Sequence, residues 1–553
     1  MQMLQLLLDH NGDPNNKACR ARISPVHLAA VSKFRNGPNV LKLLLEKGGK
    51  ANALDGDGRT PVHSAAKNDS EFGPDLLKIL IEKGGKVDVF DTQKITPTHL
   101  AAANSSDSGP SILKILLENG ANQNTADENQ ETPVHYAAKN KSSSAPSILK
   151  ILLENGRNFN VFNRSKESPF DLAVMNTSHS SPRLLEIFLE KGFSPNVANS
   201  EGVTSVHLAA ANGSKSGPRL LTRLLENGGD CNAVDGKNKR PIHYAAENRS
   251  CVATEIVKIL LDKDCDPNAI FTSGVTPVHL AVQNSSGLGI LELLHKRGAN
   301  LDFCDESGRT PVHRAAEIKL NPSIMEYLLD NGGERYVNAV DVCGENFTKY
   351  SMGDTDWRFR ELDLSPDRKR KRTPVHYAAE NEFSGFYPEV LELLLKRGGN
   401  PNFEDERKRT PVHLAVRNRG MKNWRVLKIL LKNKGNPNAV DDQLMTPVHF
   451  AAMHPHEKIK MMKLLMKHGG DPNAVDSSGR TPLHYAAMNE FIGAPQIMEL
   501  LLANNGDPNA VDNSGLNPAH CCRVKNPSGK VAERILETLM KFGGNSDAAD
   551  REG

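Results

Sequence analysis

"TPVHYAAKN", Thr132 to Asn140, decides how this chain is read. Thr132 is a favoured helix N-cap, and Pro133 suits the first helical position because it has no N–H to lose, so His135 falls in the first turn of a helix. A lone histidine there would be a candidate catalyst or metal ligand. The box, however, recurs. It ends at His27, His63, His99, His207, His243, His279, His313, His376, His413, His449, His484 and His520, so thirteen of the nineteen histidines share one position. From His27 to His279 the step is 36 residues, with "SPFD" setting Asp171 where a histidine is due. Catalysis needs such a residue once, so the period reads Thr60, Pro61 and His63, like Thr132, Pro133 and His135, as a structural box.

One period runs from Asp55 to Val89. The box starts a short helix in which Ala65 and Ala66 allow close packing, and Asn68, Asp69 and Ser70 supply turn chemistry that ends it. A second helix, "GPDLLKILIEKGG", has a wide apolar face of Leu76, Leu77, Ile79, Leu80 and Ile81, with Gly84 or Gly85 as its C-cap. Such a unit cannot bury that face alone, so stacking is obligatory. The closing "DVFDTQKIT" reads as a hairpin-like finger.

The Thr-Pro-x-His box, the Ala-Ala pair, the "LLLE" second helix and turns such as "GGDPNAVD" at Gly469 to Asp476 together resemble the ankyrin repeat, over nearly the whole chain. The resemblance implies an all-α solenoid of about fourteen stacked helix-turn-helix units with hairpin-like fingers. It also implies a box histidine that hydrogen-bonds locally to hold its repeat. The period departs from the usual 33 by three residues, which fall between the two helices in stretches such as "NDSEFGPD". Those loops carry Asn-x-Ser at Asn68, Asn104, Asn140, Asn176, Asn212, Asn248 and Asn284, read as helix-ending turns rather than glycosylation acceptors.

Length alone, 553 residues, would suggest several globular domains, but the fixed period makes length a repeat number. Aromatics at 5% and hydrophobics at 38% suit a thin core of Leu, Ile, Val and Ala. A net charge of +3 is too weak for the whole chain to read as a nucleic-acid binder. The eight cysteines show no CxxC and no disulfide framework, which points to reduced thiols and a cytoplasmic setting. No signal peptide or membrane-spanning run is evident, and the first residues match a second helix, so the array is expected to begin mid-repeat and to end the same way.

After His313 the period falters. Lys349 stands in the histidine place, and the next box arrives at His376, only 27 residues later. The sequence therefore predicts a first stack over 1–341, a degraded repeat or insert over 342–372 and a second stack over 373–553; one long finger on an unbroken array is the alternative. The insert ends in Arg368, Lys369, Arg370, Lys371 and Arg372, and the next finger carries Arg407, Lys408 and Arg409. Pro366 to Lys434 is net +9, leaving −6 elsewhere. These cations, with Trp357, are the candidate partner site, for an acidic protein, for nuclear import or for phosphate, against the alternative of a solvated charged loop.

No phosphate loop, metal-binding cysteine spacing, HExxH or nucleophile elbow is present in a credible context. His449, His454 and His456 cluster in sequence, but His449 belongs to the box, so no metal, cofactor or catalytic residue is expected. The expected function is a non-enzymatic scaffold or adaptor that binds protein partners through the concave face and finger tips, at residues such as Asp57, Lys94, Glu131, Lys166, Lys239, Arg309 and Lys408. The rival is the recognition portion of a larger enzyme or channel. A secreted effector is a third reading, and it would require disulfides or occupied Asn-x-Ser sites.

Overall fold

The computed structural model describes residues 2–10, 12–16, 22–155, 161–284, 286–317, 322–341, 371–381, 388–418, 422–453, 459–525 and 529–545. Among these, a first helix, Gln2–Asp9, precedes fourteen helix pairs, each a short inner helix opened by the box or its variant and an outer helix. The chain divides into two compact units, Met1–Phe271 and Thr272–Gly553. In each, inner helix packs on inner helix and outer on outer, repeat after repeat.

One repeat shows why. Pro61–Ala66 is a six-residue helix whose Val62, Ala65 and Ala66 are fully buried, and Gly73–Glu82 contributes the equally buried Leu76, Leu77 and Leu80. Each leucine is worth roughly 1.5–3 kcal/mol when buried, and only flanking repeats can bury it. Gly84 ends the outer helix in the left-handed region at φ +82, and the Gly85 amide donates to Leu80 O at 2.8 Å. A Cβ on Gly85 would lie 2.6 Å from that carbonyl, so the second glycine is a packing requirement.

The three extra residues per period carry a ladder. Asn104 is buried; its Nδ2 donates to Ala66 O at 3.2 Å and Asn68 O at 2.9 Å in the previous repeat, and its Oδ1 accepts from Ser106 N at 2.9 Å. Asn68, Asn140 and Asn176 repeat the arrangement. These Asn-x-Ser amides end helices and are enclosed, so they offer no acceptor to a glycan. We expect Asn104→Ala to cost about 2–3 kcal/mol, because three backbone groups lose their partner; a urea midpoint unchanged from the parent would refute it.

The fingers are turns rather than strands, carrying at most isolated bridges such as Ala198–Thr204. Most are built on a carboxylate, with Asn163 and Asn199 in its place in two: Asp127 Oδ1 accepts from Asn129 N and Glu131 N, both at 2.8 Å, and Asp91 and Asp476 do the same two and four residues on. Tips are stitched to their neighbours by single backbone bonds such as Glu128 N to Gln93 O at 3.1 Å.

Residues 342–370 of the expected insert, Trp357 among them, lie outside the described residues. The helices that flank it, Pro311–Glu317 and Pro374–Glu380, pack directly on each other. Arg397 reaches from one side of the insert to Asp330 and Glu334 on the other, at 2.5 Å each.

Candidate functional site

The box histidines face inward. His63 is fully buried; Thr60 N lies 3.1 Å and Thr60 Oγ1 2.9 Å from its Nδ1, and its Nε2 lies 3.1 Å from Ile95 O in the next finger. A backbone N–H can only donate, so Nδ1 is bare and Nε2 carries the proton to the carbonyl. The Thr60 hydroxyl faces the ring, and threonine and histidine close a reciprocal capping box at the helix start. His99, His207, His376, His413, His449 and His484 repeat the pattern, each tying its repeat to the next. His135 keeps the Thr132 half, at 3.0 and 2.9 Å, while its Nε2 has no hydrogen-bond partner. At Asp171 a carboxylate takes the ring's place in the box: the Asp171 amide donates to Ser168 Oγ at 3.1 Å and the Ser168 amide to Asp171 Oδ2 at 3.1 Å.

Burial pushes the His63, His99 and His207 imidazoles below their ordinary range, and His135, His243 and His376 down to about 4. A neutral, enclosed ring with committed nitrogens is a structural joint. His449 is held the same way, His454 and His456 lie outside the described residues, and no His/Cys/Asp/Glu group among the described residues could hold a metal ion.

The open surface is formed by finger tips and by the inner-helix positions after the histidine. Tyr136 donates to Asp127 Oδ2 at 2.9 Å and Tyr244 to Asp235 Oδ2 at 2.7 Å, clamping helix to finger, with burial and the facing carboxylate raising each phenol. Beside Tyr136 lies an open groove of about 640 Å³ lined by Ala103, Glu131, Lys139 and Asn140. Lys139 is paired with Glu131, so the groove presents a compensated polar wall with no nucleophile and base in contact.

The expected contact residues divide. Asp57, Lys94, Lys166 and Lys408 are exposed at tips, the three lysines in the left-handed region at φ +60, +64 and +54. Glu131 is enclosed by Lys139 and Asn163, Lys239 lies over Tyr244 and pairs with Glu247, and Arg309 pairs with Asp305 and Glu317. Of the basic run, Arg368, Lys369 and Arg370 lie outside the described residues, and Lys371 is exposed, 3.7 Å from Glu406. Arg372 is buried, bonded to Glu380 and 3.7 Å from Asp405. Arg409 is bound to Asp405 at 2.9 Å, which leaves Arg407 and Lys408 facing solvent.

Two sets of residues went unread in the sequence. Leu444 sits at a tip with φ +60 and is 49% exposed, an apolar residue held where the backbone disfavours it. The residue just before the turn carboxylate is exposed and apolar at Leu54, Phe90 and Val234 in the first unit and at Val440, Val475 and Val511 in the second. The recurring "AVD" was the available signal.

The family pattern for ankyrin repeats (three copies) matches residues 1–91, 70–163, 170–271, 253–341, 278–384, 357–441 and 420–512. No curated protein matches the chain. Among solved structures it is similar to the human ASB11 ankyrin repeat domain, at 23% identity and a TM-score of 0.38, over 44% of this chain and 99% of that one. It is also similar to the ankyrin repeat domain of Bcl-3, described as a unique member of the IkappaB protein family, at 21% identity and a TM-score of 0.35, over 44% and 100%.

Proposed function

The chain belongs to the ankyrin-repeat family, and from that premise we propose that it is a non-enzymatic scaffold or adaptor that binds protein partners through its finger tips and inner-helix surface. The observation that carries the reading is the contrast within each finger. The base is fixed by the turn Asp or Asn and the buried box, while the left-handed tip position changes from Gly58 to Lys94, Lys166, Lys408 and Leu444. A rigid base with variable tips loses little conformational entropy on binding and is specific through the tips. The box histidines fit joints, not catalysts, and no helix among the described residues is long and apolar enough to cross a membrane. A cytoplasmic setting, with nuclear entry through 368–372, accords with the cysteine usage and the basic run.

The test uses the tips the structure leaves free. Full chain is compared with a variant carrying Arg407→Glu, Lys408→Glu and Leu444→Ser, with Arg372 and Arg409 left in their ion pairs. We expect a stoichiometric protein partner that the variant binds at least tenfold more weakly at unchanged thermal stability. Equal binding by the two would move the site off these fingers, and a substrate turned over by the chain alone would overturn the non-enzymatic reading.

A further inference from the structure

The other outer helices among the described residues each carry at least one acidic residue, and several pair it with a cation. Lys114 faces Glu118 at 3.8 Å, Lys150 faces Glu154 at 3.9 Å, and Arg183 reaches both Glu186 and Glu190. Two neighbouring outer helices, Trp424–Lys432 and Ile459–Lys467, which pack on each other, break the rule. Neither contains an acidic residue, and every exposed residue on both is a cation: Arg425, Lys428, Lys432, Lys460, Lys463 and Lys467. None of the six has an ion pair among the described residues. Lysine replaces the usual glutamate at 432 and 467, so Lys428 and Lys463 each face a like charge one turn on, about 6 Å along the axis. Such pairs are mildly unfavourable on a free helix, and here they occur side by side.

We infer that this outer face is a docking surface for anionic phospholipid membrane. Charge complementarity requires a polyanion, and the rest of the face selects the kind. Five of the six cations are lysines, compact point charges without the fork that reads a carboxylate or phosphate in fixed geometry. Within the two helices no neutral hydrogen-bonding side chain is exposed to read base edges or a peptide backbone. The half-buried Trp424 ring already has Arg425 at 5.7 Å and Lys460 at 5.5 Å, which leaves it at the rim rather than presented as a platform for a base. Two adjacent helices bearing only cations make a sheet of charge, and a fluid anionic bilayer surface needs no other complementarity.

The experiment sediments full chain with phosphatidylcholine vesicles and with vesicles containing phosphatidylserine. The test variant is Lys432→Glu with Lys467→Glu, which restores the Lys–Glu pairing of sister repeats and so preserves the fold. Expected is binding to the phosphatidylserine vesicles alone, lost in roughly 0.5 M salt. Binding falls about a hundredfold in the variant, whose thermal midpoint is no lower than the parent's. Undiminished binding by the variant would overturn the proposal. So would failure to bind phosphatidylserine vesicles while a single-stranded oligonucleotide or polyglutamate is bound and then lost on substitution, which would assign the face to that polyanion instead.

Discussion

Acidification from pH 7 to 5 should unfold this protein in a steep, proton-consuming transition. Burial lowers the imidazoles of His63, His99, His135, His207, His243, His279, His313, His376, His413, His449 and His484, five of them to about 4. Because the folded value lies below the ordinary 6.5, the unfolded chain binds more protons between the two, and stability falls as pH falls through that window. Full stabilisation is present above about pH 6.5. A histidine forfeits up to about 1.4 kcal/mol per pH unit inside its window, so the five lowered to about 4 alone lose on the order of 5 kcal/mol between pH 6.5 and 5.5, and the other six add to it in the same direction. Asp171 is displaced in the other direction: burial raises its carboxyl, and its repeat opposes the trend. Asp235, Asp305, Asp405 and Asp512, each held below 3.8 against the effect of burial, contribute stability that is lost only at still lower pH. Thermal midpoints across pH 7 to 5, with proton uptake on unfolding measured calorimetrically, decide it. A midpoint that stays flat to pH 5 would show that the rings titrate without opening the repeats.

The fold was legible because its signals are local and repeated. N-cap threonine, Pro at the first helical position, paired alanines and C-terminal glycine each act within one turn, and thirteen histidines at one position remove the ambiguity of any single box. The Asn-x-Ser turns were legible as helix ends, but their amides bond carbonyls 36 and 38 residues earlier, a relation visible only once repeats are stacked. The site was legible in part, because sequence counts charge and cannot say where charge is spent. Arg372, Arg409, Lys239 and Glu131 are neutralised inside the array. The unpaired cations of 425–467 stood in plain sequence as "LKILLKN" and "MKLLMKH", and comparison with "LKILLEN" at 113–119 would have found them.

Asp405 tests the difference between charge present and charge available. Its side chain is 1% exposed; Oδ1 accepts from the Arg407 and Arg409 amides at 2.9 Å each, and Oδ2 holds Arg409 Nη2 at 2.9 Å with Arg372 Nε 3.7 Å away. Burial opposes that charge, and the Arg409 amide and guanidinium more than offset it. Removing the carboxylate leaves two backbone N–H groups without acceptor and the largely enclosed Arg409 guanidinium without its counterion, while Arg372 keeps Glu380. Asp405→Ala should therefore cost about 3–5 kcal/mol. Hydrogen exchange should place the damage in the repeats flanking 371–434, because each repeat is supported by its neighbours alone. Asp405→Asn separates the two roles, since it can keep the turn while deleting the charge. A cost close to that of alanine assigns the stability to the ion pairs, whereas a nearly neutral asparagine assigns it to the turn. In the second case Arg409 is held only weakly by Asp405 and returns to the surface as a cation a partner can use. A loss below about 1 kcal/mol for alanine would mean that neither role stabilises the finger.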